Sequence, residues 1–333
     1  MMKRFASFVA VGAFCLVSVP LLASDEAVLE RSRVARIGSA EANSFSAEVP
    51  VVTRVQGTAF FRTSIDINNN TSKNGVTAQY QFSYSCVSSS CSPVGGFYRT
   101  PVQTINLLGL QNFRQDDFVN YLSGLGLLQP GAVSGSIGTL LVTFGSLPQA
   151  SPQGWEGSVV ARTYNHLDES TSSSGTVGFA YNASLFFESA DTTLVGTARD
   201  TQSNAGIAGK LRSNVGVRNT DINGSGQNVT VVLSFYDAAT GQRVGTNQTM
   251  TNLQPGELRQ ISNVWGTAGI PSTVNQIIIF VDNPSPTSTS PTFEGYVTIV
   301  DGGSSTSGSA SGIATQDAAF FEMKCADTNG CGN

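Results

Sequence analysis

The feature of this sequence that most restricts its fold is an internal repeat. The stretch FRTSIDINN at residues 61–69 returns as LRSNVGVRN at residues 211–219. Each copy has an apolar residue, an arginine, two small polar residues, two β-branched residues at period two and a final asparagine. Beyond a polar turn, apolar and polar residues alternate in both copies, over residues 76–84 and 229–235. Strict alternation is typical of a strand with one face in a core and one in water.

The correspondence continues along each copy, so that the repeat has the length of a whole domain. The further matching segments are 51–55 and 194–198, 107–114 and 253–259, 138–144 and 275–281, and 157–162 and 295–300. The runs at 138–144 and 275–281 are nearly continuously apolar, as expected of central core strands. One copy has about 100–125 residues and six or seven strands, the size of an immunoglobulin-like sandwich. We therefore predict an all-β protein of two tandem immunoglobulin-like β-sandwich domains.

Helix is expected to be scarce. Charged residues make up only 12% of the chain and 35 of its 333 residues are glycine, a composition that suits short strands and turns. The strongest helical pattern lies at residues 114–125, where Phe118, Leu122 and Leu125 are spaced by four and three. A single helical turn near Val264 and Trp265 is the expected counterpart in the second copy.

The N-terminus has the pattern of an export signal. Lys3 and Arg4 precede an apolar stretch at residues 5–22, and Ala23 and Ser24 are small residues at a plausible cleavage point. The alternative is a membrane anchor, but the stretch is near the lower length limit for spanning and polar residues interrupt it. We predict an extracytoplasmic protein, in the periplasm, at the cell surface or secreted, with no membrane span after signal cleavage.

The predicted organisation of the chain follows from these patterns. A serine-rich stretch at residues 170–175 has the composition of a flexible connection between the two copies. The segments are a signal peptide at 1–24, an N-terminal segment at 25–47, the first β-sandwich at 48–167, a linker at 168–190, the second β-sandwich at 191–316 and a C-terminal tail with a disulfide at 317–333.

The cysteines beyond the signal fall into two local pairs, Cys86 with Cys91 and Cys325 with Cys331. In an oxidising compartment the simplest interpretation is two disulfides that each close a short loop. The alternative is a zinc site made by both pairs together, although neither pair has the tight C-x-x-C spacing of zinc ribbons.

Paired modules of this kind resemble a group of exported bacterial proteins with tandem immunoglobulin-like β-sandwich modules. The resemblance rests on the pattern at residues 61–69, on SVVARTYN at residues 158–165, and on GTVG at residues 175–178. It extends over residues 49–300, and the second copy lacks the RTYN ending. The resemblance implies a fold and an extracytoplasmic location, and it implies no activity.

Catalytic patterns are weak, so we predict that the protein is not an enzyme. His166 is the single histidine, and hydrolytic triads and most zinc sites need a histidine with defined partners. A glycosidase needs two carboxylates across a cleft. The acidic candidates include Asp116, Asp117, Glu156 and Glu294. Glu156 and Glu294 each precede the glycine that opens the last strand of a copy, so they are expected to be repeat equivalents with a structural role.

Metal and cofactor sites are also not expected. Residues 221–226, DINGSG, copy the first half of a calcium loop. The acidic residue required at the twelfth position is replaced by Val232, and Asn, Asp and Gly are equally typical of a hairpin turn. A net charge of −5 without basic clusters makes nucleic acid a poor partner.

Three residues are candidate ligand contacts. Arg62 and Arg212, shared by the two copies, are able to bind an acidic ligand or to cover apolar surface with their stems. Trp155 lies in a Pro/Ser/Gln loop and is a candidate sugar platform, whereas Trp265 has the alternative of filling a core. The first hypothesis for function is a non-catalytic structural or adhesive component of the cell surface or periplasm. Its partner would be a glycan or another surface protein. A carbohydrate-binding module pair is the alternative, and a hydrolytic enzyme ranks third.

Overall fold

The computed structural model describes residues 44–56, 60–70, 75–146, 157–166, 178–182, 194–200, 211–221, 226–285, 291–301 and 318–325. These residues form antiparallel sheets, which confirms the predicted all-β fold. Their α-helices are short, α1 (Phe118–Gly124) and α2 (Val264–Ala268). Within the described ranges, no helix combines the length and apolar character needed to cross a membrane.

The first half of the described chain, residues 44–182, forms one nine-stranded sheet. Strands β3, β7 and β1 make a front layer, and β2, β8 and β9 make a back layer that continues from it through the β1–β2 pairing. β5 and β4 pair with β3, and β6 pairs with β2. The strands are β1 (Ser44–Gln56), β2 (Phe60–Asn69), β3 (Val76–Cys86), β4 (Gly96–Arg99), β5 (Gln103–Leu107), β6 (Asn112–Gln115), β7 (Gly135–Ser146), β8 (Gly157–His166) and β9 (Gly178–Asn182).

The second half, residues 194–325, has its two layers as separate sheets. The front layer has five strands in the order β13-β12-β15-β10-β18, and the back layer has four in the order β14-β11-β16-β17. The strands are β10 (Leu194–Arg199), β11 (Leu211–Asn219), β12 (Val229–Asp237), β13 (Gln248–Leu253), β14 (Leu258–Ile261), β15 (Gln276–Asp282), β16 (Phe293–Asp301), β17 (Ala318–Glu322) and β18 (Lys324–Cys325).

Strand pairing is equivalent in the two halves, in agreement with the sequence repeat. The order β3-β7-β1 corresponds to β12-β15-β10, and β6-β2-β8-β9 corresponds to β14-β11-β16-β17. Each helix follows the equivalent strand and begins at an equivalent cap, because Asp117 and Asn263 both accept a backbone hydrogen bond from three residues ahead. The apolar runs predicted as central strands are β7 and β15, which lie in the middle of the front layers.

Each half has a core between its layers, made by the inward residues of the alternating strands. In β12, for example, the odd-numbered positions from Val229 to Phe235 are buried, and the positions between them are only half-buried. Both helices contribute buried residues to these cores. The largest buried side chains are Tyr80, Phe82, Tyr84, Phe118 and Phe144 in the first half and Phe235, Trp265 and Phe293 in the second.

The predicted equivalence of the last strands is wrong by two positions. Asn69 pairs with Gly157 in the first half, whereas Asn219 pairs with Phe293 in the second. Gly157 therefore corresponds to Phe293 and not to Gly295. It follows that Glu294 is not the repeat partner of Glu156. The sequence match was misled because Gly157 and Gly295 both precede β-branched residues. Side chains of a strand alternate with a period of two, so a shift of two residues leaves the same residues inward and outward.

The predicted helix at 114–125 and several segment boundaries also change. Arg114 and Gln115 belong to β6, because they pair with β2, so the helix starts only after Asp117. β9 lies inside the stretch predicted as a linker at 168–190 and pairs with β8. The predicted tail at 317–333 contains β17 and β18, which pair with β16 and β10. The predicted signal peptide at 1–24 lies outside the described residues.

Candidate functional site

Arg62 lies on the outer side of the back layer in the first half, where it packs on an aromatic ring. β2 and β8 place Arg62 opposite Tyr164, and its guanidinium carbon is 4.9 Å from the ring centroid. Arg162, two residues before Tyr164, approaches the same ring at 5.4 Å. Such cation–π contacts hold the arginine heads over the ring and fit the structural interpretation of Arg62.

The phenol of Tyr164 is also engaged. Its hydroxyl donates a 2.7 Å hydrogen bond to the carbonyl oxygen of Asp116, in the loop before α1. Burial raises the pKa of Tyr164, and the positive charge of Arg62 opposes that rise. The phenol is therefore neutral at neutral pH, and it acts as a donor that ties β8 to the helix.

Arg212 occupies the equivalent position in the second half but has different surroundings. It pairs with Val300, so the ring that holds Arg62 has no counterpart there. Burial lowers the pKa of Arg212, and the charge of Asp200 opposes the lowering. The structure thus keeps the two candidate arginines in separate halves and does not bring them into one site.

The other candidates from the sequence either belong to the core and the strands of the fold or lie outside the described residues. Trp155, the candidate sugar platform, lies outside them, as does Glu156. Trp265 is a core residue whose indole Nε1 donates a 2.8 Å hydrogen bond to Val274. His166 ends β8, where its backbone pairs with Phe60. Most of the calcium-like stretch at 221–226 lies outside the described residues.

The acidic candidates of the first half stabilise the loop before α1. Asp117 accepts a 3.1 Å hydrogen bond from the backbone N–H of Asn120, and its other carboxylate oxygen is 3.0 Å from Nε of the buried Arg54. Asp116 forms a 3.0 Å ion pair with Arg114 at the exposed surface. Capping and charge pairing account for both carboxylates.

The predicted disulfide between Cys86 and Cys91 is confirmed. The two buried residues are bonded, with their Cα atoms 5.9 Å apart. The bond closes the loop between β3 and β4. Cys325 lies in β18 and its predicted partner Cys331 lies outside the described residues, so this second disulfide stays a prediction.

An ion cluster that the sequence analysis missed lies between the two halves. Arg218 of β11 contacts the carboxylate of Glu48 in β1, and its Nη1 is 3.8 Å from Glu294 Oε1. Arg218 and Glu48 are almost fully buried. Burial lowers the pKa of Arg218 to about 10, and the charge of Glu294 opposes this, so the guanidinium remains protonated at neutral pH. Glu48 is flanked by the apolar Ala47 and Val49, a pattern that would usually indicate an outward residue in water.

Apolar and polar contacts around this cluster join the same two surfaces. Val51 in β1 and Ile137 in β7 pack against Leu258 and Tyr296 of the second half. The turn between β13 and β14 adds backbone acceptors: Arg99 donates to the carbonyl of Pro255, and Thr139 Oγ1 donates to that of Gly256 at 3.5 Å. Part of the outer side of the first half's front layer is therefore covered by the back layer and the β13–β14 turn of the second half.

The equivalent surface of the second half, which we term the front face, is apolar and partly exposed. Its apolar residues are Val195, Val232, Tyr236, Ile278 and Phe280, all of them partly accessible to solvent, and polar residues such as Ser234 and Asp282 lie among them. Tyr236 and Phe280 make an edge-to-face contact with ring centroids 5.2 Å apart. A groove of about 320 Å³ lies here, lined by Tyr236, Gly241, Ile278, Phe280 and Asp282.

The front face is the best candidate site in the described part of the chain. Alternation predicts the inward residues of β12 correctly. The run at 275–281 is nearly continuously apolar and is expected to be a central core strand, but in β15 only every second residue is buried. An apolar residue on the outward side of a half-exposed strand is the signal that would have found the site.

Fold and surfaces together define an all-β protein of antiparallel layers whose candidate site is an apolar sheet face. A comparison with protein families and with curated proteins finds no match to this sequence. The geometry of the chain itself must therefore support any proposed function.

Proposed function

We propose that the chain is a non-catalytic exported protein that serves as a structural or adhesive component of the cell surface or periplasm. The observation that carries the proposal is the front face with Tyr236, Ile278 and Phe280. Clustered apolar residues on a sheet surface are typical of sites where proteins or ligands bind. The equivalent surface of the first half is already used for protein contact, which supports a binding role for this one.

The chemistry of the described acidic residues supports a role without catalysis. Asp117 caps a helix, Asp116 pairs with an exposed arginine, and Glu48 and Glu294 lie beside Arg218. These carboxylates are committed to positive or N–H partners that stabilise the fold, whereas a catalytic acid pair must face a substrate cleft. We expect the purified protein to turn over no generic ester or glycoside and His166→Ala to change nothing measurable.

Export is supported by the disulfide between Cys86 and Cys91, since disulfides persist in oxidising compartments. We infer in addition that the chain belongs with exported bacterial proteins of tandem immunoglobulin-like modules, on the repeat and the Arg162–Tyr164 strand. Fractionation of a bacterial host that expresses the full chain tests the location. Recovery in the cytoplasm with reduced cysteines would contradict the proposal.

Adhesion is tested with substitutions on the front face. Beads coated with wild-type protein are expected to bind bacterial cells or each other, and Phe280→Asp is expected to abolish this because it places a carboxylate in the apolar groove. Leu125→Asp is the matched control, since Leu125 is an exposed apolar residue of the first half. Equal loss of binding in both variants, or none in either, would overturn the assignment of the face.

A second candidate function is carbohydrate binding, favoured by the composition of the same groove. Tyr236 and Phe280 offer aromatic surface for a sugar ring, and the Asp282 carboxylate beside them is an acceptor for sugar hydroxyls. Titration of the protein with the hits of a glycan array tests it. Binding that survives in the Tyr236→Ala/Phe280→Ala variant would exclude the groove as the sugar site.

A further inference from the structure

The contact between the two halves joins unlike surfaces, and each surface has a repeat equivalent elsewhere in the chain. The front layer of the first half meets the back layer and the β13–β14 turn of the second. We propose that copies of this chain associate head to tail by repeating this contact, with the β5–β6 turn of one copy on the front face of the next. The proposal deepens, and rests on, the proposed structural or adhesive role.

The turn that makes the internal contact has a close counterpart in the first half. In both turns the fourth residue donates its backbone N–H to the carbonyl of the first, Gln111 to Leu108 at 2.9 Å and Glu257 to Gln254 at 2.8 Å. In both, the side chain of that fourth residue accepts a 2.8 Å hydrogen bond from the N–H of the first. The turn at residues 108–111 therefore has the shape of the turn that seats Pro255 and Gly256 on the first half.

The two turns differ in the residue at their third position. Gly256 has φ 77° and Leu110 has φ 59°, in the left-handed region that favours glycine. A leucine there is strained, and its side chain is 68% exposed, as is that of Leu108 at 71%. Backbone strain lowers the stability of the fold, and an exposed apolar side chain lowers the solubility of the protein. A leucine that carries both, where the repeat has glycine, points to a function for its side chain.

The front face of the second half has the matching features for such a turn. Arg99, which donates to Pro255, lies opposite Ser83, and Arg243 lies opposite the equivalent residue Tyr236. Thr139, which donates to Gly256, pairs with Ser83, and Ile278 pairs with the equivalent Tyr236. Strand pairing therefore makes Thr139 equivalent to Ile278, two positions beyond the sequence match of 138–144 with 275–281. If the contact between the halves is repeated between two copies, the carbonyl of Gly109 in one copy takes the place of Pro255 and lies at Arg243 of the next. Leu110 likewise takes the place of Gly256 and lies at Ile278 of the next copy.

The chemistry of the two contacts is complementary in the same way. Inside the chain a hydroxyl meets a backbone carbonyl, because Thr139 faces a glycine that has no side chain. Between chains, Leu110 would enter the groove lined by Tyr236, Ile278 and Phe280. At the positions equivalent to Thr139 and Gly256, both residues are apolar, so the hydrogen bond inside the chain is replaced by an apolar contact between chains. A contact between unlike surfaces leaves the β5–β6 turn free at one end of the assembly and the front face free at the other, so further copies are able to add at both ends.

Two substitutions and their mixture test the proposal in sedimentation velocity experiments on the full chain. Wild type is expected to grow beyond dimers with concentration. Ile278→Asp breaks the receiving face and Leu110→Asp breaks the turn; each alone is expected to be monomeric, with association weakened about a hundredfold or more. Mixed in equal amounts they are expected to form a dimer that grows no further, because each partner retains the face that the other lacks. Leu125→Asp is expected to assemble like wild type.

Several results would overturn the proposal. One is a wild-type protein that is monomeric at every soluble concentration. Another is a Leu110→Asp variant that assembles normally while Ile278→Asp does not, which would mean that two front faces meet symmetrically. Circular dichroism verifies that both variants are folded. If the chain is monomeric but still adheres through Phe280, the proposed function stands and only the self-association falls.

Discussion

Asn69 and Asn219 make the same hydrogen bond in the two halves of the chain. Each buried side-chain amide donates to the carbonyl of the leucine that ends the strand before the turn, Asn69 to Leu107 at 3.1 Å and Asn219 to Leu253 at 2.9 Å. Asn69 also donates to Leu108, and Asn219 to Gln227. The asparagine that ends the repeated sequence pattern is thus the residue that fixes the turn on the core.

We expect Asn219→Ala to destabilise the chain by about 2–3 kcal/mol, because two carbonyl groups lose their donor, one of them in a buried hydrogen bond. Asn69→Ala should act similarly. Urea unfolding monitored by circular dichroism measures both. Asn112→Ala is the control, since the hydrogen bonds of Asn112 are exposed, and its effect should stay within about 0.5 kcal/mol. A loss as small as that of the control in both buried variants would show that solvent replaces the missing amide.

Breaking the buried ion pair between the halves is expected to be more costly. Glu48→Ala removes the carboxylate that contacts the buried guanidinium of Arg218, and we expect a loss of about 3–5 kcal/mol. Replacing both partners, Glu48→Leu with Arg218→Met, is expected to recover most of it because neither of these two buried positions then carries a charge. Chemical unfolding measures both variants.

The control for the ion pair is Arg114→Ala. Arg114 forms a pair with Asp116 at 3.0 Å, but both side chains are exposed, 64% and 69%, so only a small loss is expected, well below that of Glu48→Ala. A double variant no more stable than Glu48→Ala would show that packing, rather than stranded charge, controls this site.

How far the sequence determined these features differs from residue to residue. The repeat and its alternation predicted both layers of both halves, since they depend on local pattern and on burying one face. Arg62 was singled out correctly as a shared residue, but its ring partner Tyr164 comes from a strand about 100 positions later and only the fold joins them. Glu48 and Arg218 were missed for the same reason. Alternation says which residues point outward, but it does not say which outward surface another layer will cover.

The disulfide is expected to contribute little, because it closes a short loop. Cys86 and Cys91 are five positions apart in sequence, for which chain entropy gives a stabilisation of about 2 kcal/mol at most. Cys86→Ser with Cys91→Ser should lower the free energy of unfolding by that amount or less. Peptide mapping without reduction should find this pair, together with the predicted Cys325–Cys331 pair. Cross-pairing between the two sets would contradict the assignment.

Stability is expected to fall as the pH rises above 10. Burial raises the pKa of Tyr80 above its ordinary value of 10.0, and its contact with Tyr121 adds to the rise. Above pH 10 the unfolded chain then loses a proton that the folded chain retains, so the free energy of unfolding decreases with pH. Tyr80→Phe should decrease less steeply. The difference between the variant and wild type at pH 7 is the baseline. The opposite contribution of Arg218, whose pKa is lowered, cancels when the two proteins are compared at the same pH, because both contain it. Parallel curves for both proteins would refute the explanation.

Leu110 offers a test in which stability and assembly should change in opposite directions. Leu110 has a φ of 59°, a conformation that glycine adopts without strain, and the equivalent residue of the second half is Gly256. We therefore expect Leu110→Gly to raise the free energy of unfolding by about 1 kcal/mol. The same change removes the side chain proposed to enter the groove, so self-association should be lost. Leu108→Gly is the matched control: Leu108 is equally exposed, but its φ is not in the positive range, so glycine there should cost about 0.5–1 kcal/mol. Urea unfolding at a concentration where wild type is monomeric measures the first effect, and sedimentation at high concentration measures the second. A Leu110→Gly variant that is less stable than wild type would show that the turn imposes no strain on leucine. One that is more stable and still assembles would show that the strain serves something other than contact between copies.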